Sequence, residues 1–358
     1  MDTQILDNLT EIRKLDVKNM LGSLESLSKQ AEEVAQAAAE LNLPTDYKNI
    51  QRVVFLGMGG STLGAHIIKY LFREEMLVIL DIVNDYHIPA YVDDKTLVVV
   101  SSYSGGTEEP LAAMEEAMSK KAKLVIITAG GKLAEQSRDL KIPAIVFTTK
   151  NNPCNSPRMG LGYSVFGQII LLSKIGVLKI NQEEIDKAVQ TIENYNGIFG
   201  VVNAQADNPA KSIAVAIGDR SVWCVGAEHL SANAHVVANQ INENAKRMAG
   251  YYLIPELNHH LMEGMIFPKN NPQNIIFILL ESVLYDERVI KRYEVTKTVL
   301  DKNKIGYVSY QCQGKDKFSQ VCEMLVLSGY LSFYLAMLEG IDPTAIPFVD
   351  YFKQQLKK

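Results

Sequence analysis

After Pro44 the chain alternates short β-rich runs with helical ones: "RVVFLG", "TLGAHIIKYLFR", "LVILDIV", "TLVVVSSYS", "EEPLAAMEEAMSKK", "KLVIITA" and "IPAIVF". Strands joined by helices of this length require crossover connections, which are right-handed and give a parallel sheet covered on both faces. The pattern occurs twice. "RSVWCVG", a helical stretch over 228 to 248, "NIIFILLES", "ERVIKRYEVTKTVLDK", "IGYVSYQ" and a helix around "VCEMLVLSGYLSFYLAMLEG" form a second series. With Gly57 laid on Gly226, "RVVFLGMGGSTLGAHII" and "SVWCVGAEHLSANAHVV" also match at Ala65/Ala234 and His66/His235, which fall at equivalent points of two strand–turn–helix units. The expected fold is α/β, with two related subdomains, each a parallel sheet flanked by helices. Only the first keeps its glycines and Ser61; His66 and His235 are expected to pack.

Residues 1 to 42 carry apolar positions at helical spacing (Ile5, Leu9, Ile12, Leu15; Leu24, Leu27, Ala31, Val34), which predicts two helices forming a packing arm. "KNNPCNSPRMGLGYS" breaks the alternation, and helical patterns run from about 160 to 217. The division this predicts is 1–150 for the arm and first subdomain, 151–217 for a helical connection, and 218–358 for the second subdomain with a terminal helix.

A chain that is 47% hydrophobic and 22% charged has the profile of a compact folded protein, and a formal charge of −5 gives no basic face for nucleic acid. Four scattered cysteines suggest neither a zinc site nor a disulfide framework. The start "MDTQILDNLTEIRKLD" does not resemble a signal peptide, and no apolar run approaches the length of a membrane span, so a cytoplasmic location is expected.

"FLGMGGSTLG" places Gly57, Gly59, Gly60 and Ser61 where a strand ends and a helix begins, a place where backbone amides and the helix dipole favour an anion. A tight turn needing glycine would look the same. Dinucleotide binding fits less well, because G-x-G-x-x-G fails at Thr62, and a Walker loop would need a following lysine. "SSYSGGTEE" at 101–109 is a second hydroxyl-rich turn after a strand. Ser102, Ser104 and Thr107 can bond phosphate oxygens there while Gly105 and Gly106 expose amides. Two such turns at the carboxyl ends of parallel strands converge on one anion. Hydroxyls and amides without a metal-binding acid favour a monophosphate.

These turns resemble those of the sugar isomerase (SIS) domain family, whose phosphosugar site is built from them. The resemblance extends over nearly the whole chain: "GMGGS", "SYSGGTEE", "PRMGLGYS", "NENAK", "PELNH" and the terminal "GIDPT…VDYFK" are together similar to the bifunctional phosphoglucose/phosphomannose isomerase family. Gly106 and His260 stand where that family often has asparagine. The resemblance implies two SIS-type subdomains, no cofactor, and interconversion of glucose 6-phosphate, and mannose 6-phosphate, with fructose 6-phosphate.

That chemistry needs a base to carry a proton between C1 and C2 through a cis-enediolate, and a positioned carboxylate suits it. Glu243 in "NENAK" is the candidate, although an isolated helical glutamate is ordinarily just solvated. His259 suits the proton transfers of ring opening; adjacent His259 and His260 diverge and make a poor metal site. Relatives supply this histidine from the neighbouring subunit, so the resemblance implies a homodimer. Arg158 can oppose the enediolate's charge, or make an interdomain salt bridge. Lys353 matches the family's active-site lysine, in a tail where lysines are otherwise solvated. Thr344 is the nearest match to a threonine that lines the space around C1 and C2, and it can equally be a turn hydroxyl. Two rival functions share these features in part: a phosphosugar sensor would keep the cradle without a base, and an amino-sugar phosphate isomerase or a lyase-type SIS enzyme would share the fold.

Overall fold

The computed structural model describes residues 3–356. Five parallel strands form the first sheet: β1 Arg52–Leu56, β2 Ile79–Val83, β3 Thr96–Ser102, β4 Lys123–Thr128 and β5 Ala144–Val146, in the order β2-β1-β3-β4-β5. Four more form the second: β6 Ser221–Ala227, β7 Ala249–Ile254, β8 Ile275–Glu281 and β9 Gly306–Gln311, in the order β7-β6-β8-β9. The arrangement β2-β1-β3-β4 thus recurs as β7-β6-β8-β9, and the repeat seen in sequence is a repeat of topology. In the first sheet the pleat sends alternate residues to opposite faces: Val53, Phe55, Leu97 and Val99 join the main core, whereas Val54, Leu56, Val98 and Val100 join a smaller core beneath the helix Glu108–Ser119. The main core runs without a break into the second half, so the two sheets are held on one apolar body.

The N-terminal arm contains three α-helices, Leu9–Leu15, Met20–Glu25 and Leu27–Ala39, where the apolar spacing predicted two. The extra break falls at Ser26, at φ −98° and ψ 10°, whose amide donates to Leu24 O; the gap before Met20 has a local cause of its own. Asp16 accepts the amides of Met20 (2.6 Å) and Leu21 (2.8 Å), and Asn19, at φ 58°, caps the amide of Gly22 (3.1 Å). These side chains take amides that a continuous helix would have bonded internally. Strand β7 was also not anticipated: it is an edge strand with mostly half-exposed residues, and a half-exposed "AGYYLI" carries little periodic signal.

The helix Lys317–Leu338 corrects another expectation. It is long and apolar enough to cross a membrane, with a mean hydropathy of 1.7, yet its window is 100% buried inside the protein. It packs against the helices Gln182–Phe199, Pro209–Ile217 and Ser231–Ala245 and serves as the core helix of the second half. An all-round apolar helix is what such a position demands.

The helices Gly60–Leu71 and Ser231–Ala245, equivalent in the repeat, meet each other, and they do so at His66 and His235, whose rings lie 4.9 Å apart edge to face. Burial and the facing imidazole push His66 down to about 4, and burial lowers His235. Both rings are therefore neutral at pH 7. A histidine depressed in the folded state supports the fold above its ordinary pKa, and that support fades as pH falls from about 6.5 toward 4. For His66 the loss amounts to at most about 3 kcal/mol. Urea denaturation across that range is expected to show a falling midpoint in the wild type and a flatter one in His66→Gln; parallel curves would place the acid sensitivity elsewhere.

Candidate active site

The order β2-β1-β3 reverses the winding between β1 and β3, and ligands of open parallel sheets bind at such crevices, beyond the carboxyl ends of the strands. Both hydroxyl-rich turns lie there. Gly59 stands at φ 51° before the helix Gly60–Leu71, and Ser61 and Thr62 donate their amides back to Met58 O (3.2 Å) and Gly59 O (3.1 Å). The Ser61 hydroxyl accepts the Tyr103 amide at 3.0 Å, which ties the first turn to the second and leaves the Ser61 proton to donate. Ser102 is buried; its hydroxyl accepts the Gly105 amide (3.2 Å) and pairs with the Thr107 hydroxyl (2.9 Å). Ser104 faces solvent and its hydroxyl accepts the Gly106 amide at 3.4 Å. Gly105 is fixed twice over, since its φ is +67° and a Cβ there would come within 1.8 Å of Gly130 O.

Arg158 carries the cradle's neighbourhood across to the second half. A Cβ on Gly60 would stand 3.1 Å from Pro157 O and 3.3 Å from the Arg158 Cα, so the turn Pro157–Met159 rests directly on the cradle backbone. The Arg158 side chain, 3% exposed, then reaches outward: Nη1 to the Glu243 carboxylate at 3.4 Å, Nε to Asn244 Oδ1 at 2.5 Å, and Nη2 to the carbonyls of Pro343 and Thr344 at 3.0 Å each. Burial pushes the Glu243 carboxyl above the usual carboxylate range, while Arg158, Lys353 and Lys246 pull it back. A carboxylate held this way is a stronger base than one in water, and it stays within reach of cations that favour its charged form.

Thr344 is buried, and its Oγ1 has no hydrogen-bond partner. Lys353 projects from the exposed helix Pro347–Leu356, within electrostatic range of Glu243. Within one chain, then, Gly59, Gly60, Ser61, Ser102, Ser104 and Thr107 form the two turns, and Arg158, whose backbone lies against Gly60, contacts Glu243 and the Thr344 carbonyl, with Lys353 in electrostatic range of Glu243. His259 is not among them. Asn242, beside Glu243, exchanges hydrogen bonds with Ala249 at the start of β7 (2.8 and 3.0 Å), whereas His259 is exposed beyond that strand's far end. Six strand residues separate the two ends by about 18 Å. His260 lies 3.3 Å from Glu256 and tilts against Tyr252.

Sequence reasoning passed over Asn244 and Lys246, although both stand in the quoted "NENAK". Asn244 accepts from Arg158 and donates to Ser332 Oγ at 2.9 Å, which fixes the guanidinium's plane. Gln168 was also missed. It donates to Ser61 O at 2.8 Å from beneath the cradle, and no local pattern marks it.

The second half shows what became of its own cradle. Glu228 occupies the place of Gly59 in the repeat and keeps a similar positive φ, 44° against 51°. Its carboxylate accepts the amide of Asp286, in the turn after β8, at 3.0 Å. A side chain of the protein thus bridges the two turns of the second half. Among the described residues, no cluster of three or more His, Cys, Asp or Glu side chains is arranged to hold a metal ion.

Residues 46–153 match the family described as "SIS domain", and residues 206–356 match "Bacterial phospho-glucose isomerase C-terminal SIS domain". The fold is likewise that of a solved hypothetical protein from Thermus thermophilus, with a TM-score of 0.73 and 16% identity over 97% of this chain and 93% of that one. With its two parallel sheets and its cradle at the first switch point, the protein is a double-SIS protein. Among curated proteins it is 28% identical to the bifunctional phosphoglucose/phosphomannose isomerase of Caldicellulosiruptor bescii, over 94% of this chain and 98% of the relative. It is also 28% identical to the enzyme of that name from Thermoplasma acidophilum, over 85% and 89% respectively. Along nearly its whole length, then, the chain is similar to bifunctional phosphoglucose/phosphomannose isomerases.

Proposed function

We propose that the protein interconverts glucose 6-phosphate, and mannose 6-phosphate, with fructose 6-phosphate, acting as a cytoplasmic homodimer. The observation that carries this is the physical continuity from cradle to base: Gly60 rests on the Arg158 backbone, and the Arg158 side chain reaches Glu243 at 3.4 Å. A sensor would have no use for a carboxylate of raised basicity facing its bound phosphosugar. The functional division we assign is 1–150 for phosphate binding, 151–217 for the connection that carries Arg158, and 218–358 for the base.

In this mechanism the two hydroxyl-rich turns hold the phosphate, and Glu243 removes the C2 proton of the open aldose. The electron pair forms the C1–C2 double bond of the enediol, and the carbonyl at C1 becomes an oxyanion. Arg158 and Lys353 oppose the charge on that oxygen. The C2 hydroxyl proton passes to the C1 oxyanion, and Glu243 returns its proton to C1 as the C2 oxygen closes to the ketone, so the base ends as it began. Glucose and mannose phosphates give the same planar intermediate, and Thr344 leaves room around C1 and C2 for either face to be reprotonated. Ring opening falls to His259 of a second copy, since this chain's own His259 lies beyond the opposite end of β7 from Glu243. An exposed apolar stripe on the C-terminal helix, with Phe348 at 87%, Tyr351 at 62% and Phe352 at 60% exposure, supports a partner covering this face.

Incubating the purified, EDTA-treated protein with fructose 6-phosphate and separating the hexose 6-phosphates tests the reading; no glucose 6-phosphate would refute it. The cradle has its own test. Ser102→Ala with Ser104→Ala removes two charged hydrogen bonds worth about 1.5–3 kcal/mol each. KM is therefore expected to rise at least tenfold for every hexose 6-phosphate together. An unchanged KM in the folded double mutant would place the phosphate elsewhere.

A further inference from the structure

We propose that Lys246 is a positioning residue: with Arg158 it clamps the Asp342–Thr344 turn, and so sets where Thr344 and the C-terminal helix stand over Glu243. The inference rests on the isomerase reading above and extends it to a residue that touches no substrate.

The helix that follows this turn takes its position from the turn. The helix Pro347–Leu356 buries no residue. Among the described residues, the hydrogen bonds tying 342–354 to the rest of the chain come from two cations. Lys246 Nζ donates to Asp342 O at 2.8 Å and to Pro343 O at 2.9 Å; Arg158 Nη2 donates to Pro343 O and Thr344 O at 3.0 Å each. Pro343 O is shared by both. Hydrogen bonds from a charged donor are roughly twice as strong as neutral ones, so two cations on three consecutive carbonyls add to the burial of Pro343 and Thr344 in fixing the turn.

Lys246 is placed for this by the end of its own helix. It is the residue after the helix Ser231–Ala245, and its φ of 52° turns the chain so that its ammonium folds back to Asn244 O at 3.0 Å. Although the residue as a whole is exposed, its charged end meets three carbonyls. Partial burial and the Arg158 charge push the ammonium down to about 8, against the opposing pull of Asp342 and Glu243. Lys246 also lines an open cleft with Asp219, Arg220 and the Arg247–Glu339 ion pair. Above that pH Lys246 loses a proton and its charge, and two N–H groups face three acceptors. An arginine would keep its charge throughout.

Lys246→Met and Lys246→Arg test the clamp. In Lys246→Met, amide exchange over 341–356 is expected to quicken about tenfold or more. Its kcat should fall about tenfold with KM within about twofold, because the phosphate anchors lie elsewhere. Its ratio of mannose to glucose 6-phosphate turnover should change as Thr344 shifts. Lys246→Arg should restore slow exchange and most of kcat, and should lack the alkaline limb expected of the wild type near pH 8. Unchanged exchange in Lys246→Met overturns the clamp. Faster exchange with unchanged kcat and sugar ratio overturns the positioning role, as does an alkaline limb that persists in Lys246→Arg. Should Lys246→Met not fold, the Arg variant's pH profile still decides. Wild-type protein inert toward hexose 6-phosphates would defeat the isomerase reading while leaving the exchange measurement to judge the clamp.

Discussion

Glu243→Gln is expected to lower kcat by about a thousandfold while leaving hexose 6-phosphate affinity within about threefold of wild type. The amide fills the same space and can still face Arg158, but it cannot accept a proton. The phosphate contacts proposed above lie on Ser61 and the 102–107 turn, which this change does not touch. Exchange of the substrate's C2 proton with solvent should disappear together with isomerisation, because both need the same proton removal. In the wild type the base works only when deprotonated, so activity is present above its folded pKa and is lost as pH falls through it. Burial raises that pKa, so the acid limb of kcat should lie above the ordinary glutamate range, near 4.3. A Glu243→Gln variant that still exchanged the C2 proton at the wild-type rate would require a different base.

The sequence made the strand–turn–helix alternation legible because buried parallel strands write it in continuous apolar runs, as in "TLVVVSS", where every residue is buried. The same physics hid β7, whose half-exposed "AGYYLI" has no such run. The two cradle turns were readable because glycine and hydroxyl residues at a strand's end have few other uses. Glu243 and Arg158 were readable only through the motifs around them, and their 3.4 Å contact joins residues 85 apart in the chain. Lys246 was invisible for a further reason: its partners are backbone carbonyls, which leave no trace in residue identity. For His259 the resemblance implied a place in the neighbouring subunit, while its distance from Glu243 within one chain follows from the edge strand that was not foreseen.

Arg158→Gln and Arg158→Lys are expected to separate the charge of this residue from its shape. The guanidinium spreads its donors over four acceptors: the Glu243 carboxylate, Asn244 Oδ1, and the carbonyls of Pro343 and Thr344. No other side chain presents that planar fork. Both substitutions leave buried acceptors unpaired, at about 1–3 kcal/mol for each one that water cannot reach. Both should therefore lower the urea midpoint and loosen the 342–344 turn, and kcat/KM should fall by about a hundredfold or more. The pH profiles should differ. Arg158 is the foremost of the charges pulling the Glu243 pKa down, so Arg158→Gln should raise it further and move the acid limb to higher pH. Arg158→Lys keeps a positive charge near the carboxylate, and its acid limb should stay close to the wild-type position even though its rate is poor. A shared acid limb in wild type and Arg158→Gln would mean that this guanidinium does not set the basicity of Glu243. A nearly wild-type kcat/KM in Arg158→Lys would mean that charge alone, without the fork that holds the turn, is enough for catalysis.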